Sequence, residues 1–268
     1  LLLFPCSLDA RKSQEGVPEL KVMSYNVRSF IGDNGERCID SVVSMIKALN
    51  PDILCLQEMG FSDIADSLLS PLHPMPRSLS RTELSPAIYS RYPIIRAGRV
   101  DSLKEFVWAD VVVKRGTQED TLRIYNSHLH STAIRRDDSE YIERHAYLDD
   151  SLGKVRSIIT RLAENNALRA AQADTLALMV ASSPYPAIVC GDFNDTPLSY
   201  TYSQMSKAGM KDAFISASRG IGKTYCGPLP LLRIDYFWYN DYIEVVDYKR
   251  IKQTTSDHYP LIMSFNIK

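Results

Sequence analysis

One short apolar run, ending in alternating acid and amide residues, constrains this chain more than any other stretch. Residues 186–190 (PAIVC) are followed directly by residues 191–195 (GDFND). The first half predicts a buried strand, and the glycine with its polar neighbours predicts a turn at the strand's end. Ligands of open α/β sheets bind beyond the carboxyl ends of the strands. Asp192 and Asn194 can therefore face one small object there, or they can simply bond their own backbone in a turn.

The rest of the chain alternates strand-like and helix-like patterns, with no repeat or linker that would divide it. Asn165 and Asn166 are expected to interrupt the longest helical stretch, and residues 71–76 to form a surface loop. We predict one domain, residues 18–268, after an N-terminal tail, residues 1–17. The predicted strands lie at 19–28, 53–56, within 87–129, and at 231–239, 242–251 and 259–267. The predicted helices lie at 39–49, 62–69, 137–182 and 197–207.

The charge balance gives no support for a protein that works by non-specific attraction to nucleic acid. The chain has 31 Lys and Arg against 32 Asp and Glu, whereas such proteins usually carry a basic excess. A local basic patch would still allow a nucleic-acid partner, so that partner is disfavoured but open. No run approaches the roughly 20 apolar residues of a membrane helix, and the sequence does not indicate an oligomeric state.

The N-terminus and the cysteines leave the cellular compartment open. Residues 1–7 are mostly apolar and lack an initiator methionine, so they are either an export-signal remnant or a disordered terminus. In the first case Cys6 could carry a lipid anchor, and in the second the protein would be cytoplasmic. The five cysteines form no CxxC pair. Cys55 and Cys190 are expected to be reduced and buried in strands, while Cys6, Cys38 and Cys226 pair or stay free.

Polar residues at the ends of several predicted strands are the strongest functional signal. Taken singly, each has a plain structural explanation: Glu58 could cap a helix, and His128 could be a hydrogen-bonded core histidine. Asp235 lies inside an apolar strand, where a buried charge is costly without a partner, and His258 is the natural partner. A shared site explains these residues together better than separate structural roles do. The residues at strand ends are Asn26, Glu58, Asn126, His128, Asp192, Asn194, Asp257 and His258.

An ordered series of motifs resembles that of the endonuclease/exonuclease/phosphatase superfamily, and the match runs from about residue 20 to 267. The motifs are YNVR (25–28), LQE (56–58), YSRYPI (89–94), NSHL (126–129), GDFN (191–194), IDY (234–236) and SDHYP (256–260). The resemblance implies an α/β fold, a four-layer sandwich of two packed mixed β-sheets flanked by helices, with the site at one end. It also implies magnesium-dependent cleavage of phosphate esters, with Mn²⁺ as an alternative ion.

Phosphoester chemistry gives reasons for these residue types. Mg²⁺ prefers oxygen ligands and keeps several waters, so Glu58 is expected to bind it directly, and Asn26 and Asp257 directly or through water. Asp192 is expected to orient and deprotonate the attacking water. Three further roles complete the expectation: Asn194 positions that water or a phosphate oxygen, and His128 and His258, the latter held by Asp235, donate to the phosphoryl oxygens.

Three residues are candidates for substrate contact. Asn126 lies in the NSHL motif, and Arg169 lies in an Arg-x-x-Gln helix that resembles one in exonuclease-like and sphingomyelinase-like members. Arg135 lies in the charged segment 130–150, where family members vary their substrate contacts. A solvated helix face for Arg169 and a charged surface loop around Arg135 are the alternatives.

The main functional hypothesis is a metal-dependent phosphodiesterase or phosphomonoesterase that acts on a soluble metabolite, a lipid headgroup or a sugar phosphate. An endonuclease or exonuclease on DNA or RNA is the alternative within the enzymes. No counterpart of the active-site tyrosine motif of the abasic-site endonucleases is evident, which disfavours DNA repair. A catalytically inactive binding protein on the same fold is the alternative of another class, and the presence of every expected acid and histidine argues against it.

Overall fold

The computed structural model describes residues 19–32, 35–59, 63–76, 85–100, 106–131, 152–227, 232–253 and 255–268. The predicted tail 1–17, Cys6, Arg135 and the first part of the predicted helix 137–182 lie outside the described residues. The strands are β1 Leu20–Asn26, β2 Ile53–Gln57, β3 His73–Pro74, β4 Ala87–Ser90, β5 Ile94–Arg99, β6 Phe106–Arg115, β7 Gln118–His128, β8 Ala187–Asp192, β9 Lys211–Asp212, β10 Asp235–Tyr239, β11 Ile243–Arg250 and β12 Leu261–Ile267. The helices are α1 Ile39–Leu49, α2 Asp63–Leu68, α3 Leu152–Ala181, α4 Tyr200–Lys207 and α5 Ala213–Ala217.

The strands form two six-stranded mixed sheets. Sheet 1 has the order β11-β12-β1-β2-β4-β3, and sheet 2 has the order β5-β6-β7-β8-β10-β9. Each sheet contains one parallel pair, β1 with β2 and β7 with β8, and its other pairings are antiparallel. The carboxyl ends of both parallel pairs carry the predicted site residues.

Three apolar clusters hold the layers together and make the molecule a four-layer α/β sandwich, as predicted. The first fills the space between the sheets with alternate residues of their strands, such as Val22 and Ile124. The second joins α1 and α2 to the outer face of sheet 1 through Val43 and Leu54. The third joins α3 and α4 to the outer face of sheet 2 through Leu176 and Trp238. The predicted site residues follow strands at one end of this sandwich.

The predicted interruption at Asn165 and Asn166 is wrong, because α3 runs through both residues. An asparagine inside a helix costs well under about 1 kcal/mol relative to alanine, and the helix regains more by burying Ala173 and Leu176. The Asn165 side chain also bonds to the imidazole Nε2 of His130 at 3.1 Å. Tertiary contacts thus outweigh local propensity here.

Two other boundaries differ from the predictions. Within the predicted loop 71–76, β3 pairs with β4 at the edge of sheet 1, and Met75 is buried in the core. The strand predicted from residue 231 begins at Asp235, because the amides of Ile234 and Asp235 donate to the Thr224 hydroxyl at 3.0 and 3.1 Å. These two hydrogen bonds fix the start of β10 beside the site.

The described cysteines Cys38, Cys55, Cys190 and Cys226 are free, and Cys55 and Cys190 are buried as predicted. Among the residues that the structure describes, no helix combines the length and apolar character needed to cross a membrane.

Candidate active site

The carboxyl ends of the two parallel pairs bring Asn26, Glu58, His128 and Asp192 to the same edge of the sandwich. β8 approaches β7 so closely that a Cβ on Gly191 would lie 1.9 Å from the carbonyl oxygen of Ser127. Gly191 also has a φ of 127°, a conformation that L residues rarely adopt. The glycine before Asp192 is therefore required by the packing that places this carboxyl group.

The backbone around this edge is strained. Six described non-glycine residues have positive φ, and five of them follow strands at this edge, the sixth being Asn50 at the end of α1. Such conformations cost roughly 1–3 kcal/mol each and persist where the surrounding structure fixes them. Here the Ser29 amide donates to the Glu58 carbonyl at 2.9 Å. The five residues are Arg28, Ser29, Phe30, Glu58 and Asn194.

Asp192, Asp235 and His258 form a buried triad. The Nδ1 atom of His258 lies 3.0 and 3.1 Å from the two carboxylate oxygens of Asp235. On its other side, Nε2 lies 3.6 Å from Oδ2 of Asp192. The imidazole is thus placed between two carboxyl groups, and the predicted pairing of Asp235 with His258 is present.

This arrangement changes the pKa of both central groups. Burial alone would lower the pKa of His258, but the negative charges of Asp235 and Asp192 outweigh it and raise the pKa to about 10. His258 is therefore protonated at neutral pH and donates from Nδ1 to Asp235. Burial raises the pKa of Asp192, and the charge of His258 only partly opposes this effect.

Asn26, Glu58 and Asp257 lie next to the triad. The Asn26 amide donates to Oε1 of Glu58 at 3.0 Å and to Oδ2 of Asp192 at 3.2 Å. The side chains of Glu58 and Asp257 are 27% and 25% exposed, whereas that of Asp192 is 2% exposed. Arg28 lies 4.0 Å from Asp257. Asn26 thus links the triad to carboxyl oxygens that reach solvent.

His128 and Asn194 complete the edge. The Nε2 atom of His128 lies 3.6 Å from Glu58 and 3.9 Å from Asp192. The Asn194 backbone amide donates to Asp192 at 2.8 Å, and its side-chain amide donates to the Leu129 carbonyl at 2.9 Å. Asn194 therefore orients Asp192 through its backbone.

The carboxyl groups at this edge are suitable ligands for a divalent cation that prefers oxygen. Asp192 and Asp235 lie beside the protonated His258, Asp257 lies beside the guanidinium of Arg28, and Glu58 lies beside His128. A cation would offset the remaining negative charge, and the exposed oxygens of Glu58 and Asp257 are where Mg²⁺ could keep several waters. Oxygen atoms of Asp192 and Asp235 and a nitrogen of His258 also lie within 4.8 Å of one another. Asp235 and His258 are bonded to each other, however, so these three residues suit proton chemistry rather than metal binding.

Comparison with known protein families identifies the family of this chain. The model of the Endonuclease/Exonuclease/phosphatase family matches residues 23–258, a span that contains every residue of the edge described above. The chain belongs to the endonuclease/exonuclease/phosphatase family. Members of this family are generally phosphoester hydrolases that use divalent metal ions.

Solved structures of the family have the same fold. The human Nocturnin catalytic domain with bound sulfate superposes with a TM-score of 0.64 at 18% identity, covering 94% of each chain. A humanized D. rerio TDP2 gives 0.66 at 15%, covering 92% of this chain and 99% of that one. A mannosyl-6-phosphatase from Bacteroides thetaiotaomicron gives 0.59 at 16%, covering 92% and 100%. No curated protein sequence matches the chain.

Asn126 lies deeper in this family fold than the other predicted site residues. It is fully buried, and its amide donates to the carbonyl oxygens of Leu56 and Ala87 at 2.9 and 2.8 Å. Its Oδ1 accepts from Gln57 at 2.6 Å. Asn126 thus ties β7 of sheet 2 to β2 and β4 of sheet 1, and a substrate contact by this residue stays a prediction.

Arg169 is buried rather than on a solvated helix face. Its guanidinium donates to Asp195 at 3.2 Å and to the His130 carbonyl at 2.8 Å, and it also bonds to Asn166. Asp195 belongs to the GDFND turn, so Arg169 anchors that turn to α3 and to the end of β7. The Arg169 guanidinium is thus bonded within the protein. Its contact with substrate stays a prediction, as does that of Arg135.

Two residues at the site are not among the site residues predicted from the sequence. Tyr225 pairs with His258 through an isolated bridge, and their ring centroids are 5.1 Å apart. Burial, followed by the charges of Asp257, Asp192 and Glu58, raises the pKa of Tyr225 to about 12, so its hydroxyl remains a hydrogen-bond donor. Arg28, the last residue of the YNVR motif, is the other, and its Nε lies 4.0 Å from Oδ2 of Asp257.

Proposed function

We propose that this family member is a Mg²⁺-dependent phosphoesterase in which Asp192 activates a water molecule for in-line attack on phosphorus. The observation that carries the proposal is the convergence of the buried triad with Asn26 and Glu58. Polar atoms of residues from 26 to 258 approach one another to between 3.0 and 3.6 Å at one end of the sandwich.

Asp192 is the proton acceptor in this proposal. Burial raises the pKa of this carboxyl group toward the working pH, which makes it a better base than a solvated aspartate. The backbone amide of Asn194 and the side-chain amide of Asn26 hold one oxygen each. The carboxyl group therefore keeps one orientation while it takes the proton from water.

The cations and donors around Asp192 oppose the charge that develops on phosphorus. His258, protonated and held by Asp235, and His128 donate to the phosphoryl oxygens, and Tyr225 supplies a further hydroxyl. Glu58, Asp257 and the side-chain carbonyl of Asn26 would hold the Mg²⁺ ion, directly or through water. When bound, the ion would neutralise charge at the phosphate. Preorganised donors of this kind act strongly because the triad excludes water.

A substrate panel tests the proposal. The purified protein is incubated with bis(p-nitrophenyl) phosphate, sugar phosphates, inositol phosphates, sphingomyelin vesicles and oligonucleotides, with Mg²⁺ or with EDTA. We expect Mg²⁺-dependent release of a phosphate or an alcohol from at least one small ester or lipid. Asp192→Asn should lower it about 10³-fold or more, and Glu119→Gln is the matched control, since Glu119 lies nine residues before His128 on β7, about 30 Å away.

The same panel separates the alternatives. Hydrolysis confined to oligonucleotides would make the protein a nuclease and overturn the proposed substrate class. Absence of turnover on every ester, with binding retained, would favour an inactive binding protein. Turnover that survives EDTA at full rate would remove the metal from the proposal.

A further inference from the structure

We propose that Arg169 and Asp195 form a positioning pair that fixes the segment after β7 against the turn after β8. In this role Arg169 acts on turnover through His128 and Asp192 and does not touch the substrate. The inference rests on the proposed function, because it assigns to the pair a part in the turnover proposed for this site.

The sheet stops holding these two segments where the site begins. β7 and β8 are parallel neighbours, and their last paired residues are His128 and Asp192. Two further hydrogen bonds join the segments just beyond that pair. The amide of Leu129 donates to the carbonyl of Asp192, and the side chain of Asn194 donates to the carbonyl of Leu129, each at 2.9 Å. The next residue on each side is held by Arg169.

The Arg169 guanidinium bridges the two segments. It donates from Nη1 to the His130 carbonyl at 2.8 Å and from Nε to Oδ2 of Asp195 at 3.2 Å. Its Nη2 donates to Asn166 within α3. Arg169 is 3% exposed, so water does not compete for these bonds. Because a planar guanidinium fixes the directions of its donors, the His130 carbonyl and the Asp195 carboxylate are held at one separation.

Other elements fix each end of this bridge. The His130 amide donates at 2.7 Å to Gln172, which lies one turn along α3 on the same face as the arginine. The Asp195 carboxylate also accepts from the Thr201 hydroxyl at the start of α4, at 2.8 Å. The Tyr236 hydroxyl on β10 donates to the Asp195 carbonyl at 2.8 Å. The pair therefore joins both segments to α3, α4 and sheet 2.

The conformation of Asn194 depends on this anchoring. Asn194 directly precedes Asp195 and has a φ of 50°, a left-handed conformation that persists where the surrounding structure fixes it. Its amide donates to Asp192 at 2.8 Å. If Asp195 is released, Asn194 can return to a right-handed φ, and the Asp192 carboxyl loses the amide that orients it. A displacement of about 1 Å at a reacting group can lower a rate 100-fold, so the pair should control kcat.

The bonding of Arg169 favours this role over a direct contact with substrate. All three nitrogens of its guanidinium donate within the protein, and its charge is paired with Asp195. A substrate phosphate would have to displace these partners from a buried cation, which would leave the Asp195 charge unpaired. Positioning therefore predicts an effect on kcat, whereas substrate contact predicts an effect on KM.

The central experiment is a double-mutant cycle of Arg169→Met, Asp195→Asn and the double variant, with bis(p-nitrophenyl) phosphate and Mg²⁺. Each single variant should lower kcat roughly 10- to 100-fold and leave KM within about twofold. Because both changes break the same bond, the double variant should lose no more kcat than the worse single variant. Losses that multiply in the double variant would overturn the pair, and so would a rise in KM confined to variants of Arg169.

Arg123 and Asp110 provide the matched control. They form an ion pair of the same residue types, with bonds of 2.6 and 2.8 Å, and Arg123 lies five residues before His128 on β7, about 17 Å away. Arg123→Met, Asp110→Asn and their double variant should lower the urea midpoint of unfolding and leave kcat within about twofold. Equal losses of kcat in both cycles would reduce Arg169 to a purely structural residue and refute the proposal.

Arg169→Lys tests the pair while the positive charge is retained, and it decides the question if Arg169→Met does not fold. A lysine has no planar fork to hold two acceptors at once. We therefore expect kcat to fall roughly tenfold with little change in the urea midpoint. A kcat equal to that of the wild type contradicts the positioning role.

Amide hydrogen exchange in EDTA gives a readout that needs no turnover. Exchange at the Asn194 amide, followed by NMR, should accelerate roughly tenfold or more in Arg169→Lys and stay within about twofold in Arg123→Lys. Turnover by the wild type, with Asn194 exchange unchanged in Arg169→Lys, refutes the pair and leaves the phosphoesterase intact. Faster exchange, without turnover of any tested ester by the wild type, refutes the phosphoesterase and with it the part of the pair in turnover.

Discussion

The two halves of the candidate active site differ in burial. The side chains of Asp192, Asp235 and His258 are at most 7% exposed, whereas those of Glu58 and Asp257 are about a quarter exposed, at 27% and 25%. We call the first set the buried triad and the second the open carboxyls. The Asn26 amide joins them by donating to Glu58 and to Asp192.

The difference separates two kinds of chemistry. A group that accepts or stabilises a proton needs a fixed hydrogen-bond partner and a low dielectric, which the buried triad has. A Mg²⁺ ligand needs oxygen atoms that also allow room for water, which the open carboxyls have. Changes in the buried triad should therefore act on turnover, and changes in the open carboxyls should act on metal affinity.

The largest expected effect is that of Asp192→Asn. It removes the proton acceptor but keeps the shape of the side chain, so kcat should fall about 10³-fold or more, while the Mg²⁺ dependence keeps its midpoint. Steady-state kinetics over a Mg²⁺ titration measures both quantities, with Glu119→Gln as the control. A kcat within tenfold of the wild type would remove Asp192 from the role of base.

Glu58→Gln should show the opposite pattern. The amide is a weaker ligand for Mg²⁺ than the carboxylate, so the Mg²⁺ concentration for half-maximal activity should rise roughly 10- to 100-fold. Raising Mg²⁺ should restore a large part of the activity, which it cannot do for Asp192→Asn. Titration calorimetry with Mg²⁺ alone provides a readout that is independent of turnover. Unchanged affinity would contradict the division between the two halves.

Asp235→Asn should give a moderate loss of kcat, roughly tenfold, together with a pH-dependent loss of stability. The pKa of His258 is raised from 6.5 to about 10, so its protonation stabilises the fold fully below pH 6.5, and this contribution is lost as the pH rises through about 10. The wild type should therefore exceed the variant in free energy of unfolding most at low pH, and the difference should shrink towards pH 10. Urea unfolding in EDTA from pH 6 to 10 measures this difference, and a difference that grows with pH would contradict the charged pair.

Sequence reasoning reached the open carboxyls and the buried triad because each of these residues interrupts or ends an apolar strand. It could not predict how deeply each of these side chains is buried. Asn126 and His128 lie two apart on β7 and so face the same side, yet Asn126 is fully buried between the sheets and the side chain of His128 is 12% exposed. Alternation identifies a face of a strand and gives no information on the distance from the end of the sheet.

Contacts between distant segments explain the other differences. Asn165 and Asn166 predict a helix break, but packing of α3 on sheet 2 keeps the helix continuous. Tyr225 reaches the site from a segment outside the named helices and strands. None of these arrangements follows from local periodicity, because each depends on which surfaces the folded sheets bring together.

Tyr225→Phe should have the smallest effect of these substitutions. Tyr225 packs on His258 of the buried triad and lies near the open carboxyls. Tyr225→Phe keeps the ring that packs on His258 and removes only the hydroxyl. The loss of one hydrogen bond to the phosphoryl oxygens should lower kcat/KM about fivefold, the equivalent of roughly 1 kcal/mol. Neither the Mg²⁺ midpoint nor the urea midpoint should change, and Tyr242→Phe, at a 59% exposed tyrosine, is the control. A loss of stability with unchanged kcat/KM would make Tyr225 a packing residue of the triad.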